Sequence, residues 1–126
     1  MATTRIIPMH LTKDSTIAQC LFDRLSYGKN PEKTENGELI SAFSCDPRTA
    51  DAEFLLSKKR YEQITGRYES SNVIAYQVRQ SFKPREVTPQ EANQIGYEFA
   101  SRFLKGKHAF LVCTHTDKEH IHNHIY

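Results

Sequence analysis

The spacing of apolar and polar positions changes several times along the 126 residues, and each change predicts an element. Thr3 to Pro8 (TTRIIP) reads as a short opening strand. Ile17, Ala18, Leu21, Phe22 and Leu25 recur at helical spacing, which predicts a helix capped near Asp14-Ser15 and running to about Tyr27. Gly28 and Asn30-Pro31 break it. Residues 32–38 are polar and end in Asn36-Gly37, a turn signal suited to a hairpin with Leu39 to Ser44 as its second strand. Asp46-Pro47 marks another turn, and Thr49 is placed to cap a helix to about Ile64 with Phe54, Leu55 and Tyr61 on its buried side. From Asn72 to Phe82 the side chains alternate as in a central strand, Val73, Ala75 and Gln77 on one face and Ile74, Tyr76 and Val78 on the other. Thr88, Pro89 and Glu91 form the signature of a capping box, and Ala92, Ile95, Phe99, Phe103 and Leu104 follow as one apolar stripe, with Gly106 placed to end the helix. Ala109 to Thr114 reads as a buried strand, and the residues from His120 onward as the next.

The resulting order, β-α-(β)-α-β-α-β-β, predicts an α/β fold, an antiparallel-sheet α/β sandwich whose last two strands are adjacent. A chain of this length is expected to form one compact domain, without internal repeats or low-complexity segments. It stops at Ile125-Tyr126, directly after its densest cluster of functional residue types. Residues 1–126 therefore read as the N-terminal part of a single domain, cut inside a strand, with more sheet expected downstream. A missing downstream strand would leave the histidine strand at an exposed edge.

Composition narrows the setting. No apolar run approaches the ~20 residues of a membrane helix, and the N-terminus lacks a secretory signal, so a cytoplasmic protein without membrane insertion is expected. Cys20, Cys45 and Cys113 are odd in number, far apart and form no C-x-x-C pair, which points to reduced thiols rather than a disulfide framework or zinc knuckle. A net charge of +2 does not announce nucleic-acid binding, and the basic groups Lys58-Lys59-Arg60, Lys83 with Arg85, and Lys105 with Lys107 each read first as solvated surface.

The chemistry concentrates in HTDKEHIHNH, His115 to His124. The strand from Ala109 delivers His115 at its end, and a turn through Asp117, Lys118 and Glu119 reverses the chain. In the returning strand His120, His122 and His124 point to one face and Ile121, Asn123 and Ile125 to the other. The hairpin brings His115 back towards His122 and His124, so three imidazoles form a facial set for a divalent ion with positions left open for a phosphate oxygen. Imidazole is a poor core filler, and three histidines in strict alternation are hard to attribute to packing. Asp117 is placed either to orient a ligand histidine or simply to form the turn.

The pattern H-x-D-x(4)-H-x-H, here His115, Asp117, His122 and His124, resembles the third motif of relaxases, also called mobilization nucleases, within the endonucleases that carry a histidine-hydrophobic-histidine metal site. LSYGKNPEKT (Leu25 to Thr34), the Cys45-Asp46-Pro47 region with TADAEF, SKKRYEQITGR, and QSFKPREVTPQEANQIGYEFASRFLKGKHAF are similar to relaxases of conjugative transposons and plasmids of Gram-positive bacteria. The middle residue of that motif is Asn123 between His122 and His124 but Ile121 between His120 and His122, which keeps His120 as a possible additional ligand.

The resemblance implies site- and strand-specific DNA nicking by metal-assisted transesterification, with a tyrosine near the N-terminus as nucleophile. Tyr27 fits that role, and His10 is the alternative, since some family members use a histidine. The products would be a 5′-phosphotyrosyl protein–DNA intermediate and a free 3′-hydroxyl. A free tyrosine is protonated at neutral pH, with a pKa of ~10, so the nucleophile needs a base or cation nearby. The resemblance also implies Mg²⁺ or Mn²⁺ as cofactor, single-stranded DNA at a transfer origin as substrate, and accessory DNA-binding and conjugation-coupling proteins as partners. Lys29, Lys33, Arg79 and Lys83 are candidates to track phosphates, and Tyr76 or Phe82 to stack on bases. Two rival readings remain at this stage. One is a replication initiator or transposase with the same metal site. The other is a non-catalytic DNA-binding or adaptor module stabilised by a closed metal site.

Overall fold

The computed structural model describes residues 3–11, 14–66, 73–118 and 120–126; of the positions read from the sequence, Asn72 and Glu119 lie outside them. The elements are β1 (Thr3–His10), α1 (Ile17–Gly28), β2 (Ile40–Phe43), α2 (Ala50–Thr65), β3 (Val73–Ser81), α3 (Pro89–Leu104), β4 (Phe110–His115) and β5 (His122–Ile125). The five strands form one sheet in the order β1-β3-β5-β4-β2, and every neighbouring pair is antiparallel. This is the antiparallel α/β sandwich that the hydrophobic pattern predicts.

Alternation along β4 divides the core. Leu111 and Cys113 join Met9, Leu21, Leu25, Ala50 and Tyr126 beneath α1, with Phe54 and Leu55 of α2 packed against them. Phe110 and Val112 join Ile125 and Ala100 beneath α3, with Phe43, Val78, Tyr97, Phe99 and Leu104 around them. Full burial of a Leu, Val or Phe side chain contributes roughly 1.5–3 kcal/mol relative to exposure, so β4 and its two coverings carry much of the fold. No helix among the described residues is long and apolar enough to cross a membrane.

Several local expectations change. The cap of α1 is Thr16, whose hydroxyl accepts from the Gln19 N–H, because Asp14 lies in the left-handed region at φ 63° and belongs to the preceding turn. No hairpin forms around Asn36-Gly37. Glu35, Asn36 and Gly37 all have positive φ, and buried Thr34 gathers the loop by accepting from the Gly37 and Leu39 N–H groups. The expected second strand exists as β2, but it pairs with β4. Tyr61 is exposed, because α2 packs through its N-terminal half and buries Ala50. In β3 the register slips between Met9 and His10 of the partner strand, so Ile74 packs into the same cluster as Ala75 instead of opposing it. The histidine strand β5 is not at an edge: it lies in the middle of the sheet between β3 and β4.

The capping box of α3 is present in full, Thr88 accepting from the Glu91 N–H and Glu91 from the Thr88 N–H. The buried face of the helix, however, is Ala92, Gly96 and Ala100, while Ile95 and Phe103 are exposed. Close approach of helix and sheet explains this. A Cβ at Gly96 would lie 2.6 Å from Asn123 Nδ2 and 2.9 Å from Val112 Cγ1, so only small residues fit the line of contact. Gly96→Ala is therefore expected to destabilise the protein by about 1–3 kcal/mol, although alanine is intrinsically the better helix former. Ile95→Ala, at a position 38% exposed, should cost less than Gly96→Ala. Urea denaturation of the two variants checks the order, and a Gly96→Ala protein as stable as the parent would show that the helix stands further from the sheet.

Candidate metal centre

Strand register brings the histidines together. His115, the last residue of β4, faces His122, the first of β5, and His124 faces Cys113 two pairs further in. The ring centroids of His115, His122 and His124 are 4.3 to 5.0 Å apart. One ring nitrogen from each lies within 4.8 Å of the other two, and among the described residues no other His, Cys, Asp or Glu joins the group.

The second nitrogen of each ring is already committed. Carbonyl oxygens only accept, so His115 Nε2–H donates to the Gly28 carbonyl (2.9 Å) and His122 Nδ1–H to the His120 carbonyl (3.2 Å). His124 Nδ1–H donates to Gln77 Oε1 at 3.2 Å. These bonds set the tautomers and leave His115 Nδ1 and His124 Nε2 as lone-pair nitrogens. Both are buried without a hydrogen-bond partner among the described residues. A buried polar atom left without a partner costs about 1–3 kcal/mol, and a cation shared by the three rings would satisfy both at once. Burial, followed by the charges of His115 and His122, pushes His124 down to about 3; burial also lowers His115. Both rings are thus neutral at physiological pH, the state that binds metal. The residues present fit a divalent ion, with no fourth protein ligand among those described to close its coordination.

Tyr27 stands beside this group at the C-terminal end of α1. Its side chain is exposed, and its ring meets His115 and His124 edge-on at centroid distances of 5.7 and 5.8 Å. The position follows from the next residue. Gly28 docks against Tyr126 so closely that a Cβ would lie 2.5 Å from the Tyr126 ring, and its carbonyl is the acceptor for His115. Tyr27, Lys33, Arg79, Ser81, Asp117, His122 and His124 line a cleft of about 260 Å³. Among the described residues, the hydrogen-bond partners of the three rings are the Gly28 and His120 carbonyls and Gln77, and Asp117 is bonded elsewhere. Its carboxylate is taken up by Lys33 at 2.6 Å, and that ammonium lies 5.4 Å from the centre of the Tyr27 ring. The Lys33 contact holds the Asp117 carboxyl below its ordinary range.

The other candidates lie apart. His120 is outside the trio, with Nδ1 donating to the Phe82 carbonyl. His10 is five residues along β1 from Arg5, the residue that faces Arg79, a separation of about 17 Å along the strand. Lys29 donates to the Pro47 carbonyl, Lys83 is exposed outside the cleft, Phe82 is buried, and Tyr76 is on the opposite face of β3 from Gln77 and Arg79. The three cysteines are free thiols, and burial pushes Cys113 up to about 12, which disfavours it as a ligand. The sequence reading missed Gly28, read there only as a helix breaker, and Gln77, whose signal was an amide at an inward position between Ala75 and Arg79.

The family described as "Relaxase: MobA/VirD2-like, nuclease domain" matches residues 27–126. Among curated proteins, "Protein rlx" of Staphylococcus aureus is 41% identical over 91 residues, covering 72% of this chain and 27% of that protein. "Group II intron-interrupted relaxase LtrB" of Lactococcus lactis subsp. cremoris is 32% identical over 119 residues, covering 79% of this chain and 21% of that protein. The chain thus spans about a quarter of the length of the curated relatives it matches. No solved structure matches it.

The buried histidines make stability depend on pH. In the unfolded chain a histidine protonates near ~6.5, whereas His115 and His124 resist protonation in the fold. The unfolded state therefore binds more protons below that value, so their contribution is complete above about pH 6.5 and is lost as pH falls towards 3. In chelator, the urea midpoint should fall between pH 7 and pH 5, and His124→Asn should flatten that fall. A midpoint constant across this interval would mean that the two rings are not held neutral.

Proposed function

The chain belongs to the MobA/VirD2-like relaxase nuclease family, and from that premise we propose that it nicks one DNA strand at a transfer origin and holds the cut end covalently on Tyr27. The observation that carries the reading is the position of Tyr27, edge-on to His115 and His124 and lining one cleft with His122 and His124. His115, His122 and His124 would hold a divalent ion, which when bound supplies Lewis-acid polarisation of the scissile phosphate. Three imidazoles favour a transition ion such as Mn²⁺ over Mg²⁺, which prefers oxygen donors.

In the proposed step the Tyr27 hydroxyl oxygen bonds to phosphorus as the bond from phosphorus to the 3′-oxygen breaks. The phenolic proton ends on the departing 3′-hydroxyl, and a 5′-phosphotyrosyl linkage remains. One ester replaces another, so the step can run backwards to reseal the strand. Lys33, fixed by Asp117, brings positive charge beside the attacking ring, and Arg79 and Ser81 border the cleft where the phosphate would lie. The bond from His115 to Gly28 ties the end of the nucleophile's helix to a ligand ring, favouring a fixed approach of attacker to phosphate. The proposed setting is cytoplasmic, with accessory DNA-binding proteins and a conjugation-coupling protein as partners. A closed structural site fits less well, since no fourth ligand is present among the described residues.

Two measurements test the reading. Incubation with single-stranded transfer-origin DNA and Mn²⁺ should give a covalent protein–DNA adduct with the parent and none with Tyr27→Phe, which removes the hydroxyl and keeps the ring. An adduct that survives in Tyr27→Phe would take the nucleophile away from Tyr27; tight metal binding without any cleavage would favour the structural site. Gln77→Ala, which frees the His124 ring, should weaken Mn²⁺ binding about 10–100-fold in titration calorimetry. An unchanged affinity would show that His124 does not need that anchor.

A further inference from the structure

We infer that Arg5 and Arg79 form a second phosphate subsite beside the histidines, one that grips a neighbouring phosphodiester of the bound DNA strand; the inference rests on the proposed single-stranded DNA substrate. In the sheet register Arg5 faces Arg79 on β3, and Arg79 faces His124 on β5. Residues directly opposite on neighbouring strands point to the same side of a sheet, so the two arginines continue the histidine face outward. With strands about 4.8 Å apart, their backbones lie roughly 5 and 10 Å from that of His124, on one line across the sheet.

The cover of the sheet ends where this row begins. Met9 is buried beneath α1, whereas Arg5 and Arg79 are both exposed, and Arg79 lines the cleft with Tyr27 and the histidines. Neither arginine has an acidic partner among the described residues. Asp117, the acidic residue that lines the cleft, is already engaged by Lys33. Like charges directly opposite on paired strands destabilise the pair, so this placement carries a cost that no acidic group among the described residues offsets. A charge that only kept an edge strand from pairing with another chain would need no second arginine facing it. An anion between the two guanidinium groups accounts for both, because each fork can donate two parallel hydrogen bonds to a phosphate. Thr3 and Ser81, the pair in register two residues further along the strands, add hydroxyl donors at the same end.

The test is binding of the 126-residue chain to a fluorescent oligo-dT strand in chelator, followed across salt concentration, with adduct formation on transfer-origin DNA assayed in parallel. Arg5→Ala and Arg79→Ala should each weaken binding and lower the salt slope by about 0.7, the share of one phosphate on a single strand. Arg5→Lys should keep the slope, and Arg60→Ala on α2 should bind like the parent. Circular dichroism establishes that the variants are folded, as substitutions at these exposed positions should be. Parental affinity and slope in both Arg5→Ala and Arg79→Ala would overturn the subsite while leaving the nicking reaction intact. An equal loss of slope in Arg60→Ala would also overturn it, by showing that binding is diffuse. Loss of slope confined to Arg5 and Arg79, with no adduct on origin DNA, would uphold the subsite and remove the nicking function. No binding by the parent would overturn the subsite, and the adduct assay on origin DNA would then decide the nicking function separately.

Discussion

The hydrogen bond from the His115 ring to the Gly28 carbonyl is the constraint around which the site is arranged. It joins the last residue of a helix to the last residue of a strand 87 positions later. It turns the imidazole so that its other nitrogen looks towards His122 and His124, and it fixes where α1 ends. The contact is possible because residue 28 has no side chain. Any larger residue would collide with Tyr126, which follows β5 directly and whose ring lies parallel to that of His124. A helix terminus, one of the three clustered imidazoles and the residue after β5 are thereby held in one mutual geometry. Tyr27, one residue before the glycine, inherits its place from them.

The opposite face of β5 depends on a different device. Asn123 lies between two histidines at a position fully shielded from water, where an apolar residue would be simpler. Its amide is satisfied on every side: Thr114 donates to its oxygen, and its nitrogen donates to Gln80 and to the Ala92 carbonyl. Asn93 extends the network by donating to Thr114 and to the Leu39 carbonyl, and Ser41 donates to Asn93. Since a buried polar group without a partner costs about 1–3 kcal/mol, the network ties α3, β2, β4 and β5 to a single relative placement. The partners of the three histidine rings are all neutral: two carbonyls and an amide. Nothing bonded to the rings would offset the charge of a cation held there.

Much of this was legible in advance wherever one local rule decided the outcome. Period-two alternation put His122 and His124 on one face, and the turn through Asp117 returned them to His115. Thr88, Pro89 and Glu91 announced the start of α3 because a capping box is satisfied within one turn. What escaped detection depended on partners distant in sequence. The burial of Ala92, Gly96 and Ala100 in place of Ile95 and Phe103 is set by how near Asn123 and Val112 approach, which periodicity in α3 alone does not contain. The pairing of Lys33 with Asp117 spans 84 residues, so Lys33 reads from sequence as a phosphate contact and Asp117 as a histidine orienter or turn residue, with nothing to link the two. The central position of β5 was hidden for a related reason: β3, its second neighbour, comes from a segment more than forty residues earlier.

That central position has a kinetic consequence. Local opening of a sheet starts at its margins, where a strand can peel away after losing one set of ladder hydrogen bonds. β5 must lose two sets, to β3 and to β4, and its inward side chains lie beneath α1 and α3. The amides of His124 and Tyr126 should therefore exchange with solvent deuterium only when the whole domain unfolds, while those of β1 exchange through fraying. Two of the three proposed ligands, His122 and His124, would be carried on the central strand, and Arg5 on a strand at the sheet's margin.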